Sequence, residues 1–114
     1  VVSIERFHTL AAGARTRLQT LGFDNTEVIC ADGVAANVVG RFDRILVHLA
    51  LDGVPASLAG LLGPGGVLVC GLSSGEGRAT RLSRLALDAQ GQPEEADCGA
   101  CLLPKPIAGA AAAL

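Results

Sequence analysis

The sequence predicts an α/β fold, in which an open, mostly parallel β-sheet is covered by helices. Half of the 114 residues are apolar, which is sufficient for one hydrophobic core. Trp and Tyr do not occur and Phe occurs three times, so Val, Leu, Ile and Ala must build that core, as in buried parallel strands. Short apolar runs of strand length also alternate with segments of helical spacing, which is typical of this fold class.

The first third of the chain predicts a strand, a helix and a second strand. Val1 to Ile4 has the composition of a short buried strand. Apolar residues then recur at helical spacing from Phe7 to Leu21, and Gly22 stands where a left-handed cap usually ends a helix. Glu27 to Ala31 is the second predicted strand, closed by Asp32-Gly33.

The middle third predicts another strand, helix and strand. Ile45 to Val47 is continuously apolar, which indicates a strand buried on both faces with a parallel neighbour. Pro55 opens a short helix that extends through Leu62. The tight turn at 63–66 then leads into Val67 to Cys70, a further buried strand.

The last third allows two interpretations. Apolar residues in 79–89 fit a helix, although Leu85 and Leu87 also alternate as on a strand. Residues 88–92 have turn composition and 100–103 can form a returning strand, so a terminal antiparallel pair is the competing interpretation. The tail from Ile107 to Leu114 is almost all Ala, and we expect it to be disordered.

Charge and cysteine spacing argue against several classes of partner. The net charge is −2 and the sequence has no run of Lys or Arg, so it predicts no basic patch for binding nucleic acid or an anionic membrane surface. No apolar stretch approaches the roughly 20 residues of a membrane helix, and no leader opens the chain, so a cytoplasmic location is expected. Cys98 and Cys101 form a C-x-x-C without two further ligands at zinc-site spacing. We therefore expect no metal, and reduced cysteines that act as small buried apolar side chains.

Several segments, taken in order and spacing, carry a family resemblance. They are Val2-Ser3-Ile4-Glu5-Arg6, Asn25 to Val28, Asp32-Gly33, Arg41 to Val47, and Val54-Pro55 through Gly66. Over residues 1 to about 104 the chain resembles the protein-L-isoaspartate (D-aspartate) O-methyltransferases, which belong to the class I S-adenosylmethionine-dependent methyltransferases. Arg81-Leu82 through Glu94-Glu95 resemble the closing strands of that family. The resemblance therefore favours strands over a helix for residues 79–89.

The resemblance implies a partial Rossmann-like class I methyltransferase fold, with a mostly parallel sheet and a C-terminal antiparallel strand pair. The first strand and the Gly-rich loop of the family have no counterpart in the chain, which contains no Met and opens on an apolar run. We expect a partial methyltransferase domain over residues 1–104 and an Ala-rich tail over 105–114. Because the absent strand would be central, two strand edges would be left unpaired. The chain should then be poorly stable, self-associate by pairing with another chain, or close the gap in a register not found in the family.

The resemblance also implies S-adenosyl-L-methionine as cofactor, with its adenosine end lined by Glu5, Arg6, Asp32 and Gly33. Ligands of open α/β sheets bind beyond the carboxyl ends of the strands. There Glu5 would accept hydrogen bonds from the ribose hydroxyls, and Asp32 from the adenine amino group, with Gly33 allowing close approach. The alternatives are an exposed Glu5 paired with Arg6 and a plain Asp32-Gly33 turn. His8 and His48 are weaker candidates.

The activity implied is methyl transfer to the carboxylate of L-isoaspartyl or D-aspartyl residues in proteins, a repair reaction. A carboxylate is already ionised at neutral pH, so no general base is required and no catalytic residue is assigned. Because the cofactor loop is absent, we expect the isolated chain to be inactive. The family's aromatic-Val-Pro stretch is replaced here by the segment 101–105, which bears on substrate specificity. One alternative is a degenerate, noncatalytic interaction module. Another is a nucleotide-binding module that uses the glycines of 71–77.

Overall fold

The computed structural model describes residues 1–35, 38–73 and 80–113, and it confirms the α/β class. The elements are β1 (Val2–Glu5), α1 (His8–Thr20), β2 (Glu27–Cys30), β3 (Phe42–Leu51), α2 (Ala56–Ala59), β4 (Leu62–Ser73), β5 (Thr80–Leu87) and β6 (Pro93–Cys101). They fall into two compact units. The first comprises Val1–Asn37 with Ile107–Leu114, and the second comprises Val38–Pro106.

The first unit is a parallel strand pair connected by a helix. β1 and β2 pair in register from Val2 opposite Glu27 to Glu5 opposite Cys30. α1 forms the crossover and buries Ala11, while Val28 is the buried residue of β2. The Arg15 side chain fixes the helix to the sheet, because its Nε donates a 2.8 Å hydrogen bond to the Val28 carbonyl. The predicted strand, helix and strand are therefore confirmed within one or two residues.

The second unit is a four-stranded sheet in the order β3-β4-β5-β6. β3 and β4 are parallel, whereas β4-β5 and β5-β6 are antiparallel. β5 confirms the strand interpretation for the part of 79–89 that the structure describes; Ala79 lies outside the described residues. The expected turn at 88–92 is also present, since the Asp88 carboxylate accepts hydrogen bonds from the Gln90 and Gln92 amides.

The core of the second unit lies along β4. Leu62, Leu68 and Cys70 have no exposed surface, and Leu58 of α2 is also buried. α2 is shorter than the predicted helix, because Leu62 already pairs with Phe42 of β3. The prediction of a tight turn at 63–66 was wrong, because these residues lie within β4 as an irregular stretch. The pairing advances from Phe42 to Arg44 on β3 while it advances from Leu62 to Val67 on β4.

Burial on both faces was the wrong expectation for residues 45–47 of β3. Leu46 is 64% exposed and His48 is exposed, whereas Ile45 and Val47 are half-buried. Successive side chains of a strand point to opposite faces, so only one face of β3 is covered along 45–48. At the end of the strand, Ala50 and Leu51 are both buried. A buried role is also wrong for Cys98, which is exposed on β6.

β6 is the other edge of this sheet, and it is acidic and solvent-exposed. Arg81 of β5 contacts Glu95 at 3.0 Å and Asp97 at 3.6 Å. Ser83, which is almost fully buried, donates a 2.9 Å hydrogen bond to the same Glu95 carboxylate. These contacts fix the β5-β6 register through polar side chains.

The Ala-rich tail makes backbone hydrogen bonds within the first unit. The amides of His8 and Thr9 donate to the carbonyls of Ala111 and Ala112, at 2.9 and 3.2 Å, and the Ala111 amide donates to the Arg6 carbonyl at 2.8 Å. Phe7 and Ala111 form a parallel bridge. The domain boundary at residue 104 stays a prediction.

Candidate functional site

The candidate site lies at the carboxyl ends of β1 and β2. Glu5 is the last residue of β1 and is in register with Cys30, and the Ala31 amide donates a 3.1 Å hydrogen bond to the Glu5 carbonyl. Asp32 follows two residues after the end of β2. Because the strands are parallel, both predicted acids lie at the same edge of the sheet.

Glu5 is half-buried and its carboxylate is oriented by the backbone. Its Oε1 accepts a 2.9 Å hydrogen bond from the Phe7 amide. The alternative of an ion pair with Arg6 is not observed, since the ion pairs found among the described residues both involve Arg81. The Arg6 guanidinium instead lies over the Phe7 ring, 4.6 Å from its centroid. Glu5 therefore has a carboxylate fixed in direction without a cationic partner.

Asp32 serves as a turn residue and also accepts a hydrogen bond from a distant segment. Its Oδ1 accepts from the Val34 amide at 3.0 Å and the Ala35 amide at 3.4 Å, which is the turn expected of an Asx-Gly sequence. Its Oδ2 accepts a 2.8 Å hydrogen bond from the Gly109 amide. The Gly109 N–H, and then the Val34 N–H, hold the pKa of Asp32 below its ordinary value. Asp32 is therefore ionised at neutral pH.

Arg6 contacts the same tail residue as Asp32. Its Nε donates to the Gly109 carbonyl at 3.0 Å, and its Nη2 donates to the Ala108 carbonyl at 3.4 Å. Gly109 therefore lies between the two side chains, with its N–H on Asp32 and its C=O on Arg6. The tail is the part of this site that sequence reasoning missed, because a run of Ala carries neither helical nor strand periodicity.

Gly33 lies beside β1, but the structure gives no steric requirement for glycine at this position. A Cβ built there would be 3.7 Å from Ile4 Cγ2, an ordinary van der Waals contact, and Gly33 is not among the glycines of positive φ. Its role in close approach of a ligand stays a prediction.

The weaker candidates do not add to this edge. His8 is exposed, and its amide is the group that contacts the tail. His48 belongs to the second unit, in an irregular stretch where β3 advances from Val47 to Ala50 while β4 advances from Cys70 to Gly71. Of the glycine motif at 71–77, residues 74–77 lie outside the described residues. The residues from Thr80 onward form β5, whereas a phosphate loop would lead into a helix.

Away from the carboxyl ends of β1 and β2, the described residues include a groove but no cluster typical of a metal site. No group of three or more His, Cys, Asp or Glu side chains in 1–35, 38–73 and 80–113 has the arrangement of a metal site. A groove of about 410 Å³ lies between α1 and β2, lined by residues that include Arg15, Phe23 and Glu27. Glu27 begins β2, so this groove is at the opposite end of the strand from Asp32.

Neither described helix is long and apolar enough to cross a membrane.

The side chains at the carboxyl ends of β1 and β2, here called the β1-β2 edge, fit the polar groups of an adenosine. Two carboxylates offer acceptors, which suit ribose hydroxyls and an exocyclic amino group, and the Arg6 guanidinium offers donors. Asp32 Oδ2 accepts the Gly109 N–H in this structure, so a donor of a ligand would have to replace that hydrogen bond.

Comparisons with known proteins give the family of the chain. Residues 1–102 match the family model described as protein-L-isoaspartate(D-aspartate) O-methyltransferase. Protein-L-isoaspartate O-methyltransferase 2 of Rhodopseudomonas palustris strain HaA2 is 48% identical over 81 residues, which are 70% of this chain and 37% of that protein. The protein-L-isoaspartate O-methyltransferase of Nitrobacter winogradskyi is 43% identical over the same length and shares of coverage. The chain thus spans little more than a third of the length of these relatives.

Solved structures support the fold at low sequence identity. A putative protein-L-isoaspartate O-methyltransferase from Plasmodium falciparum, in complex with S-adenosyl-L-homocysteine, has a TM-score of 0.78 at 18% identity. The match covers 94% of this chain and 52% of that one. A second protein-L-isoaspartate O-methyltransferase has a TM-score of 0.82 at 19% identity and covers 95% and 34% of the two chains. Because the family model matches residues 1–102, the chain belongs to the protein-L-isoaspartate (D-aspartate) O-methyltransferase family.

Proposed function

We propose that this chain provides the adenosine-binding edge of an S-adenosylmethionine-dependent protein-L-isoaspartate O-methyltransferase. The observation that carries the proposal is the position of the Glu5 and Asp32 carboxylates at the carboxyl ends of two adjacent parallel strands. Open α/β sheets bind their ligands there. Family membership of residues 1–102 supports the same assignment.

Each residue of the edge has a defined part in the proposal. Glu5, held by the Phe7 amide, accepts from the ribose hydroxyls, and Asp32 accepts from the adenine amino group. Arg6 donates to an acceptor of the same base. None of these groups needs to move a proton, so their contribution is orientation of the cofactor.

The proposed reaction places no general base on this chain. Bound S-adenosylmethionine supplies an electrophilic methyl group on a sulfonium centre. The ionised isoaspartyl carboxylate forms the new O–CH3 bond as the S–CH3 bond breaks, and the sulfur keeps the electron pair of that bond. The products are a neutral methyl ester and S-adenosylhomocysteine. The proposed substrates are isoaspartyl-containing proteins, and the four free cysteines are in keeping with the proposed cytoplasmic location.

Calorimetric titration with S-adenosylhomocysteine tests the proposed site. We expect saturable binding that Glu5→Ala weakens about 10- to 100-fold, because a hydrogen bond to a charged group contributes about 1.5–3 kcal/mol. Glu27→Ala is the matched control, since Glu27 is an exposed acid at the opposite end of the same strand pair. Equal weakening by both substitutions would contradict the assignment of Glu5.

The two alternative functions give different results in the same titration. A noncatalytic interaction module predicts no binding of S-adenosylhomocysteine at millimolar concentration. A nucleotide-binding module predicts binding of ATP that depends on the glycines of 71–77. Labelled methyl transfer to an isoaspartyl peptide then measures catalysis, for which we expect little or no turnover from the chain alone.

We further propose that β3 mediates pairing with a second copy of the chain. β3 is an edge strand of the described sheet, and it presents the exposed side chain of Leu46. An edge strand carries unpaired backbone donors and acceptors, which another strand can satisfy.

A further inference from the structure

The tail from Ile107 to Ala112 lies on the same side chains to which the proposed function assigns the adenosine. Asp32 accepts from the Gly109 amide at 2.8 Å, and Arg6 donates to the Gly109 carbonyl at 3.0 Å. The backbone of Gly109 therefore occupies both Asp32, a predicted acceptor of the site, and Arg6, a predicted donor. These are hydrogen bonds between residues more than 70 positions apart in the chain.

Gly109 presents the hydrogen-bonding pattern of an adenine edge. Adenine carries an amino donor next to a ring-nitrogen acceptor, and side chains read the two groups together. The N–H and C=O of Gly109 offer one donor and one acceptor, which Asp32 and Arg6 bind. An adenine and the Gly109 backbone would therefore compete for Asp32 and Arg6.

The beginning of α1 explains why the tail binds at this position. The first amides of a helix have no acceptor within the helix. Phe7, at the N-cap position of α1, provides no side-chain hydrogen bond. The carbonyls of Ala111 and Ala112 accept instead from the amides of His8 and Thr9. The tail therefore caps α1 from a distant part of the chain.

The tail is held by backbone hydrogen bonds and buries little apolar surface. Ile107 is 67% exposed, and residues 108–110 are also exposed. Such a contact lacks the hydrophobic burial that would make it permanent.

We propose that residues 107–112 form an autoinhibitory strap, which occupies the adenine end of the cofactor site and must leave before the cofactor binds. This inference depends on the proposed function. A strap that is closed most of the time raises the apparent Kd of the cofactor by the inverse of the open fraction.

Substitution of Gly109 tests the strap without changing a predicted site residue. Gly109 has φ +80, a region that β-branched residues rarely adopt, and a Cβ there would meet no atom within 4 Å. Gly109→Val therefore strains the closed strap alone, and we expect it to bind S-adenosylhomocysteine about tenfold more tightly than the unaltered chain. Gly91→Val is the matched control, because Gly91 has φ +78, has equally free space and lies in the β5-β6 turn.

Amide hydrogen exchange on the unaltered chain provides a second measurement. Saturating S-adenosylhomocysteine should accelerate exchange at His8 and Ala111, whose amides the closed strap protects. If the ligand binds the unaltered chain and Gly109→Val equally, or if exchange at Ala111 does not change at saturation, the strap is wrong and the proposed function stands. If neither protein binds the ligand, the proposed function is wrong and the competition is excluded with it.

Discussion

Asp32 is the residue whose ionisation the structure constrains most clearly. The Gly109 N–H is the largest cause of its lowered pKa, the Val34 N–H is the next, and Arg6 contributes in the same direction. A group with a lowered pKa contributes stability that is present above its ordinary value of 3.8 and is lost as the pH falls through the lowered folded value. The contact with Gly109 should therefore be intact at neutral pH and released only in acid.

An NMR titration measures this release. The Gly109 amide proton should shift as the pH is lowered, with a midpoint below the ordinary value of 3.8. Asp32→Asn should abolish the transition, because an amide side chain does not titrate in this range. A midpoint at or above the ordinary value would contradict the assigned hydrogen bond.

The candidate site could be predicted from the sequence only where local residues make it. Glu5 ends one recognisable strand and Asp32 follows another, so their positions at the same end of the strand pair were predicted correctly. The contacts of Arg6 and Asp32 with Gly109 span 103 and 77 residues, and no local pattern in an Ala-rich segment indicates such a pairing.

At the scale of the elements, the end of α1 is the clearest case of sequence determining structure. Gly22 has φ +76, its amide donates to the Gln19 carbonyl, and the Phe23 amide donates to the Leu18 carbonyl. This pair of hydrogen bonds is a Schellman cap, which requires a left-handed residue at the position of Gly22.

Substitution of this glycine tests the cap. Gly22→Ala should lower the free energy of unfolding by about 1 kcal/mol, because an L residue is strained in the left-handed region. Gly53→Ala is the control, since Gly53 has equally free space and no positive φ. The helical circular-dichroism signal during urea unfolding measures both. Equal destabilisation by the two substitutions would argue against the cap.

Two properties of the strands could not be predicted from apolar spacing alone: the strand conformation of β5 and the one-sided burial of β3. Apolar spacing in β5 fits both periodicities, so only the resemblance decided between helix and strand. In β3 the apolar run correctly predicts the strand. Apolar residues alone do not show whether other elements pack on both faces of that strand. Leu46 is exposed for that reason, although it is as apolar as its neighbours.

At the scale of the whole molecule, the proposed self-association predicts a response to charge at the β3 edge. Leu46→Lys should raise the dimer dissociation constant at least about tenfold, because a lysine at a paired edge must be desolvated or displaced. Val39→Lys is the matched control, since Val39 is 94% exposed and lies outside the strands. Sedimentation velocity measures both. An unaltered chain that stays monomeric at high concentration would contradict the proposal.

The acidic character of β6 limits how far any such assembly can grow. Glu94, Glu95 and Asp97 lie on the strand at the far side of the sheet from β3, so a second sheet approaching there meets like charges. Growth at both edges would give an open filament, whereas self-pairing of one edge is closed by a two-fold axis. Because the carboxylates of β6 disfavour pairing at that edge, we expect association to stop at a dimer and not to continue into fibres.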